Sequence, residues 1–228
     1  MPLPRVLEPE VMAGADEAGE YDEMDFSATD LLFAQRAAQL AMVGAGRAIG
    51  RIADLGSGNA KIPLAMCPLL PDSTRVCAVE MSGEMLKVAA RNRRRDGVSP
   101  GRLHLICGDA KRVPFADGSI GMVTSNSLIH HIPDPRAVFQ EIARIARPGA
   151  SILIRDLIRP ENHTALEELL QAHGAQWSPL QRALFADSLH AALTLEEVRQ
   201  MLAQCGLADV QVTQISDRHW SAECAPRV

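Results

Sequence analysis

The chain has 228 residues, 47% of them hydrophobic and 22% charged, with a formal net charge of −5, which is enough for one well-filled core and short for two. Eight acids and a single base, Arg5, fall within residues 1–26, leaving 20 acids and 22 bases beyond them; so even a balance excludes the basic surface with which proteins hold nucleic acid by its phosphates. No stretch approaches the roughly 20 apolar residues of a membrane span, the N-terminus lacks a basic-then-apolar signal layout, and the five cysteines show no metal-type spacing, so a cytoplasmic protein with reduced thiols is expected.

Residues 1–26, acidic and rich in Pro and Gly, predict an extended or mobile leader or flap, and a single domain is expected over 27–228. Ser27 is placed to cap a helix whose apolar face is Leu31, Leu32, Ala34, Ala38, Leu40, Ala41 and Val43, with Gly44 ending it. Short β-rich runs then alternate with helices: strand 51–55, helix 60–68, strand 75–80, helix 82–95, strands 102–107 and 121–125, helix 136–146 and strand 151–156. Arg91, Arg93, Arg94 and Arg95 close the helix over 82–95, where cations suit the negative end of the helix dipole. Alternation at this spacing predicts parallel crossovers. Beyond Pro160 helices dominate, one of them opened by Thr194 with Glu197 in capping-box register, and the runs 208–215 and 219–225, parted by Ser216, Asp217 and Arg218, read as a β-hairpin. The expected fold is therefore α/β, a Rossmann-like doubly wound seven-stranded sheet, mostly parallel with a C-terminal β-hairpin and helices on both faces. The helical stretch 161–206 is expected as an insertion that roofs a ligand site beyond the carboxyl ends of the strands.

Chemistry concentrates at three successive strand ends. Asp54-Leu55-Gly56-Ser57-Gly58-Asn59-Ala60 follows the first strand and leads into a helix; glycine at 56 and 58 lets the backbone turn sharply and approach a ligand with no Cβ in the way. A dinucleotide fingerprint would put a third glycine at 61, where Lys61 stands, and Asp54 suits the amino group of a methionine-like ligand better than a diphosphate. Glu80 ends the second strand, where an acid can accept hydrogen bonds from both ribose hydroxyls, and Asp109 follows the third, where one can accept from the exocyclic amine of adenine. Taken singly, Glu80 or Asp109 reads as readily as a surface acid or a cap; their order makes the case.

Over residues 54–156 the segments DLGSGNAKIPLA, VCAVEMSGEMLKVAARN, GDAKRVPFADGSIGMVTSNSLIHHIPDP and EIARIARPGASILIRD resemble the class I S-adenosylmethionine-dependent methyltransferases, most closely the small-molecule group that includes ubiquinone and menaquinone C-methyltransferases and sugar O-methyltransferases. The resemblance implies S-adenosyl-L-methionine as cofactor. Asp54, Gly56, Ser57 and Gly58 would surround its methionine half, with Tyr21 on the flap; Glu80 would bind ribose, Met81 and Met85 would lie near the nucleoside, Asp109 and Ala110 would flank adenine, and Ser125 and Asn126 would floor the site near the methyl group. Ala60 stands where many relatives have the third glycine of a GxGxG.

Methyl transfer is an in-line displacement, so the enzyme has to position the acceptor and, where the acceptor is protonated, supply a base. His130 and His131 follow the fourth strand, and histidine suits that work near neutrality; the pair reads equally as base or as a hydrogen-bonding scaffold. The resemblance adds Asp156, at the end of the next strand, as the carboxylate that orients a histidine. The run Ser125-Asn126-Ser127 lacks the Pro-Pro-aromatic element of amino-directed nucleic-acid methyltransferases, and it lacks the acid of a magnesium-dependent catechol site, so neither nucleic acid, membrane nor metal is expected as a partner. Acceptor contacts are expected from Tyr21, Phe26, Arg155, Arg159, Trp177, His190, His219 and Trp220. The reading is a small-molecule methyltransferase, with oxygen as the first choice of acceptor atom and carbon or nitrogen as the alternative. A non-catalytic cofactor-binding module and, further off, an NAD-dependent oxidoreductase are the competitors.

Overall fold

The structure is a computed structural model that describes residues 3–8, 22, 26–43, 49–174 and 176–225. Helix α1 (Ser27–Met42) leads into β1 (Arg51–Leu55), α2 (Lys61–Met66) with a 3-10 turn over Cys67–Leu69, β2 (Arg75–Glu80), α3 (Gly83–Arg95), β3 (Leu103–Cys107) and β4 (Ile120–Asn126). A second 3-10 turn, Ile129–His131, precedes α4 (Arg136–Ile145) and β5 (Ala146–Leu157); α5 (His163–Gly174), α6 (Pro179–Ala191), α7 (Leu195–Gln204), β6 (Gln211–Gln214) and β7 (His219–Cys224) complete the chain. The strands lie in the order β3-β2-β1-β4-β5-β7-β6, with β1 to β5 parallel and β7 antiparallel to both of its neighbours.

The strands read as continuous apolar runs because they are buried on both faces. Alternate residues feed two cores. Ala53, Leu55, Val79, Val123, Ile152 and Ile154 pack with Val138, Phe139, Ile142 and Ile145 of α4 and with Val198 and Leu202 of α7. Ile52, Val76, Ala78, Met122 and Leu153 pack on the other face, against Phe33, Ala34 and Ala37 of α1 and Ile62 and Leu64 of α2. At Gly121 no side chain fits, since a Cβ would stand 2.0 Å from the Ile49 carbonyl oxygen.

Among the described residues, side-chain caps mark three helix starts. The Ser82 hydroxyl accepts the Met85 N–H at the head of α3, and full capping boxes open α6 (Ser178, Gln181) and α7 (Thr194, Glu197). At α1 the cap position is Phe26, one residue ahead of Ser27, with no side-chain cap bond; Gly44 lies outside the described residues. Strand β5 begins at Ala146 rather than Ser151, because its first residue already pairs with Ile120 across a register shift in β4.

Two features of the late and early chain differ from the sequence reading. Helix α7 packs into the main core; of the late helices α6 contributes Gln181, Leu184, Phe185 and Ser188 to the cavity beyond the carboxyl ends of the strands, and Leu166 and Leu170 of α5 with Leu189 of α6 form a small separate core with Leu157. Leu3 of the leader is buried in that same small core. Residues 3–8 are docked: the Arg5 guanidinium donates to the carbonyls of Ala191 (2.6 Å), Ile132 (2.8 Å), Pro133 (3.0 Å) and His130 (3.2 Å), and the Val6 N–H donates to the His190 carbonyl. A guanidinium holding the carbonyls of two loops ties the leader across the mouth of the sheet.

Candidate active site

The strand order reverses between β1 and β4, and at that switch point a cavity of about 300 Å³ opens beyond the carboxyl ends of the strands. The turn after β1 is pinned from beneath: the N–H groups of Gly56 and Ser57 both donate to the Val79 carbonyl of β2. Gly56 has φ +69°, and a Cβ there would lie 2.7 Å from Leu128 Cδ1, whereas a Cβ on Gly58, φ +53°, would meet no atom within 4 Å, and that residue faces the cavity. Ala60 takes up the left-handed backbone (φ 62°) that favours glycine, and Ser127 does the same (φ 53°) on the facing loop. Non-glycine residues held in that region mark a turn whose shape the surrounding structure imposes.

Glu80 clamps the turn: one carboxylate oxygen accepts the Gly58 N–H and the other the Ser82 N–H, each at 2.8 Å. Asp22 closes the outer side by accepting from Asn59 (2.8 Å) and Asn92 (3.1 Å), with Lys61 donating to its backbone carbonyl. Lys61 is thus a fastener where a dinucleotide site would have glycine.

Asp54 is buried in the cavity wall and accepts the Thr124 hydroxyl at 2.6 Å, its cross-strand partner in β4. Burial is the largest influence on it and pushes its pKa up; the Thr124 bond opposes this, the charges of Glu80 and Asp30 add to it, and the result is about 7. A buried carboxylate in this condition lacks a cation. With the buried, unpartnered Ser57 hydroxyl and the open backbone at Gly58, this donor set fits a ligand with an ammonium group, while Glu80 retains lone pairs for hydroxyl donors.

Another wall of the cavity is built on the turn Leu128–His131. Asp156, fully buried, accepts from the Ile129 N–H (2.6 Å), the Leu157 N–H (2.7 Å) and His130 Nδ1 (2.5 Å). For Asp156 burial is the largest influence and pushes the pKa up, but His130 and the two N–H groups outweigh it and hold the carboxyl below its ordinary value. For His130 burial pushes down, and the charge and hydrogen bond of Asp156 followed by the charge of Glu8 outweigh it, so the imidazole is raised. Glu8 Oε1 lies 3.0 Å from His131 Nδ1 and 3.5 Å from His130 Nε2, and its other oxygen accepts the Ser188 hydroxyl. Those three donor atoms lie within 4.8 Å of one another, a grouping that the charge of one acid against two imidazoles accounts for.

Of the residues expected at the site, Asp54, Gly56, Ser57, Gly58, Glu80, Met85, Asn126, His130 and His131 line this one cavity, and so do Phe26, Arg155, Trp177 and His219. Asp156 stands directly behind His130. Ser125 is buried and ties β4 to β1 through the Leu55 carbonyl, Met81 is 44% exposed, Asp109 is paired with Lys111, and Ala110 is packed in the core; none of these four lines the cavity. Arg159 is held by the Ala192 carbonyl and Glu197, Trp220 is wholly buried in the sheet core, and His190 stands off the cavity beside His163. Tyr21 lies outside the described residues. Sequence reasoning missed Glu8, Arg218 and Leu128; Glu8 carried no local signal, since the leader around it has no period and its partners lie more than a hundred residues away.

A solved S-adenosylmethionine-dependent methyltransferase from Aquifex aeolicus shares this fold, with a TM-score of 0.67 at 14% identity over 93% of this chain and 98% of that one. Residues 53–154 match the family described as Methyltransferase domain. A demethylmenaquinone methyltransferase of Roseiflexus sp. (strain RS-1) is 28% identical over 200 residues, which cover 83% of this chain and 81% of that one. A ubiquinone/menaquinone biosynthesis C-methyltransferase of Azotobacter vinelandii is 23% identical over 170 residues, 70% of this chain and 66% of that one. In structure, the plantazolicin methyltransferase BpumL in complex with S-adenosylhomocysteine matches with a TM-score of 0.70 at 16% identity, over 90% of this chain and 88% of that one, a likeness of fold. Residues 53–154 thus carry a class I S-adenosylmethionine-dependent methyltransferase domain. Among the described residues no helix is long and apolar enough to cross a membrane.

Proposed function

We propose that the enzyme moves the cofactor's methyl group to oxygen of a small molecule seated against the Leu128–His131 turn, with His130 taking the acceptor's proton. Bound at this site, the cofactor supplies an electrophilic methyl on a sulfonium. In this reading Asp54 holds its ammonium, Glu80 its ribose hydroxyls, and the open backbone at Gly58 gives it room. Ser125 supports the floor from beneath Asn126 through its bond to the Leu55 carbonyl, and Asp109 and Ala110, outside the cavity, take no part in this reading.

The observation that carries the proposal is the Asp156–His130 contact at the cavity wall. A buried carboxylate on Nδ1 fixes the tautomer, leaves Nε2 as the reacting nitrogen and stabilises the imidazolium once it has taken a proton. A raised imidazole is also the stronger proton acceptor. Carbon methylation is the second reading, favoured by the likeness to the C-methyltransferase of Azotobacter vinelandii; there too a proton leaves the acceptor, from carbon, and the same histidine serves.

The test is a product-release screen with hydroxylated acceptors and a deuterated methyl donor, followed by nuclear magnetic resonance of the product. A methyl on oxygen, with turnover in His130→Ala down by about 10²-fold or more and S-adenosylhomocysteine affinity unchanged, is the expected result. A methyl on carbon selects the second reading. Unchanged turnover in His130→Ala contradicts both.

A further inference from the structure

The acceptor side of the cavity is mostly apolar, with Leu128, Leu157, Leu184 and Phe185 on its walls, but its β7 end carries the Arg218 guanidinium. Arg218 sits on the turn between β6 and β7, held by its backbone: the N–H donates to the Ser216 hydroxyl and the carbonyl accepts the Ile158 N–H. Its Nη1 is buried and has no hydrogen-bond partner, and among the described residues no carboxylate stands within ion-pair distance of it. The nearest acid in sequence, Asp217, is taken by His173 Nε2 at 2.6 Å. The guanidinium lies over the Phe185 ring, 6.0 Å from Cζ to centroid. A half-buried guanidinium left without its counter-ion is costly unless a ligand completes it.

A second feature of the same wall points the same way. His219, next along β7, is driven down to about 4, first by burial and then by the positive charges of Arg155 and Arg218, against the weaker pull of Asp156 and Asp217. This end of the cavity therefore holds a positive field beside a histidine kept neutral. Arg155 is engaged by Asn126 Oδ1 (2.6 Å) and the Thr29 carbonyl (2.9 Å), which fix its place but not its charge.

We propose that the methyl acceptor is an apolar molecule bearing a carboxylate, and that Arg218 binds that carboxylate while the rest of the acceptor lies along the wall of Leu184 and Phe185 toward His130. This rests on the reading of the cavity as the acceptor site. A guanidinium presents two parallel donors to a carboxylate, an arrangement worth far more in a desolvated wall than in water, and it sets the acceptor's orientation from the end opposite the cofactor turn. Neutral acceptors of the same shape offer the guanidinium at most one acceptor oxygen and no charge, and are disfavoured for that reason.

The experiment uses the full chain saturated with S-adenosylhomocysteine, with benzoate as the carboxylate probe and benzamide as its neutral counterpart, read by thermal shift and by calorimetric titration. Benzoate is expected to raise the melting temperature of the complex in a saturable way and benzamide to bind at least tenfold more weakly. In Arg218→Gln the benzoate response is expected to vanish, in Arg218→Lys to persist in part, and in both S-adenosylhomocysteine affinity is expected to match the wild type, which also certifies their folding. The proposal is overturned by an absent benzoate response, by an equal response to benzamide, or by a benzoate response that survives Arg218→Gln. Failure of S-adenosylhomocysteine to bind the wild-type chain would instead bring down the reading of the site itself.

Discussion

Asp156→Asn is expected to cut turnover by about 10²–10⁴-fold while cofactor affinity stays within about twofold, because the carboxylate touches His130 and the acceptor turn and nothing on the cofactor side. Asparagine keeps one acceptor oxygen and puts an NH₂ where Asp156 meets an N–H. Either the Ile129 amide or His130 Nδ1 then faces a donor, and the histidine loses the charge that raises it. Breaking a buried pair by removing one charge typically costs about 3–5 kcal/mol, so a lower denaturation midpoint is expected as well. The pH dependence has a definite sign. Asp156 is depressed from 3.8, so its contribution is present above that value and lost as pH falls through the lowered pKa; His130 is raised from 6.5, so its contribution is full below that value and lost as pH rises through the raised pKa. The stability gap between wild type and Asp156→Asn is therefore widest between about pH 4 and 6.5 and narrows above. Parallel loss of turnover and S-adenosylhomocysteine affinity would assign Asp156 to scaffolding.

The second large effect concerns Asp54. A buried carboxylate lifted from 3.8 to about 7 holds its proton more tightly in the folded chain than in the unfolded one, so the ligand-free protein loses stability as pH rises between those values, by on the order of a few kcal/mol in all. A ligand ammonium reverses this, since it binds the ionised form. Affinity for S-adenosylhomocysteine is thus expected to be full above about pH 7 and to weaken by up to about tenfold per unit below it, with proton release on binding near neutrality. Asp54→Asn keeps the bond from Thr124 but has no charge; it is expected to bind about 10–10²-fold more weakly at pH 8, to show little of the acid decline, and to be more stable than the wild type when ligand-free. Calorimetric titration across the pH range, in two buffers of different ionisation heat, reads the first two and the proton release, and thermal unfolding of the ligand-free chain reads the third. A variant whose affinity falls with acid as steeply as that of the wild type would place the titrating group elsewhere.

The sheet was legible because each of its parallel strands supplies residues to both cores, so the apolar runs are short, continuous and bounded by helices with readable caps at Ser82 and Thr194. At the ends of β1 and β2 order along the chain maps onto order in space, so Asp54, Gly56, Ser57, Gly58 and Glu80 fall on one cavity, whereas Asp109 and Ala110 after β3 do not line it. The acceptor side was legible only in part. Asp156, near the end of β5, was brought to His130, on the turn after β4, by the family resemblance, whereas Glu8 reaches them from a leader without period, and Arg218 sat in what read as a plain hairpin turn. Trp220 and Arg159 were misplaced as acceptor contacts because residue type was weighed there without register. Trp220 pairs with Asp156 in the sheet and points into the core, and Arg159 is taken by a helix carbonyl and Glu197.

The central claim, that the Asp54–Glu80 edge is an S-adenosylmethionine site, is tested most directly by titrating the purified chain with S-adenosylhomocysteine and, separately, with NAD. Saturable one-to-one binding of S-adenosylhomocysteine alone, weakened in both Asp54→Asn and Glu80→Ala, is the expected result. Binding of NAD in its place, or binding of S-adenosylhomocysteine that neither substitution alters, would contradict it.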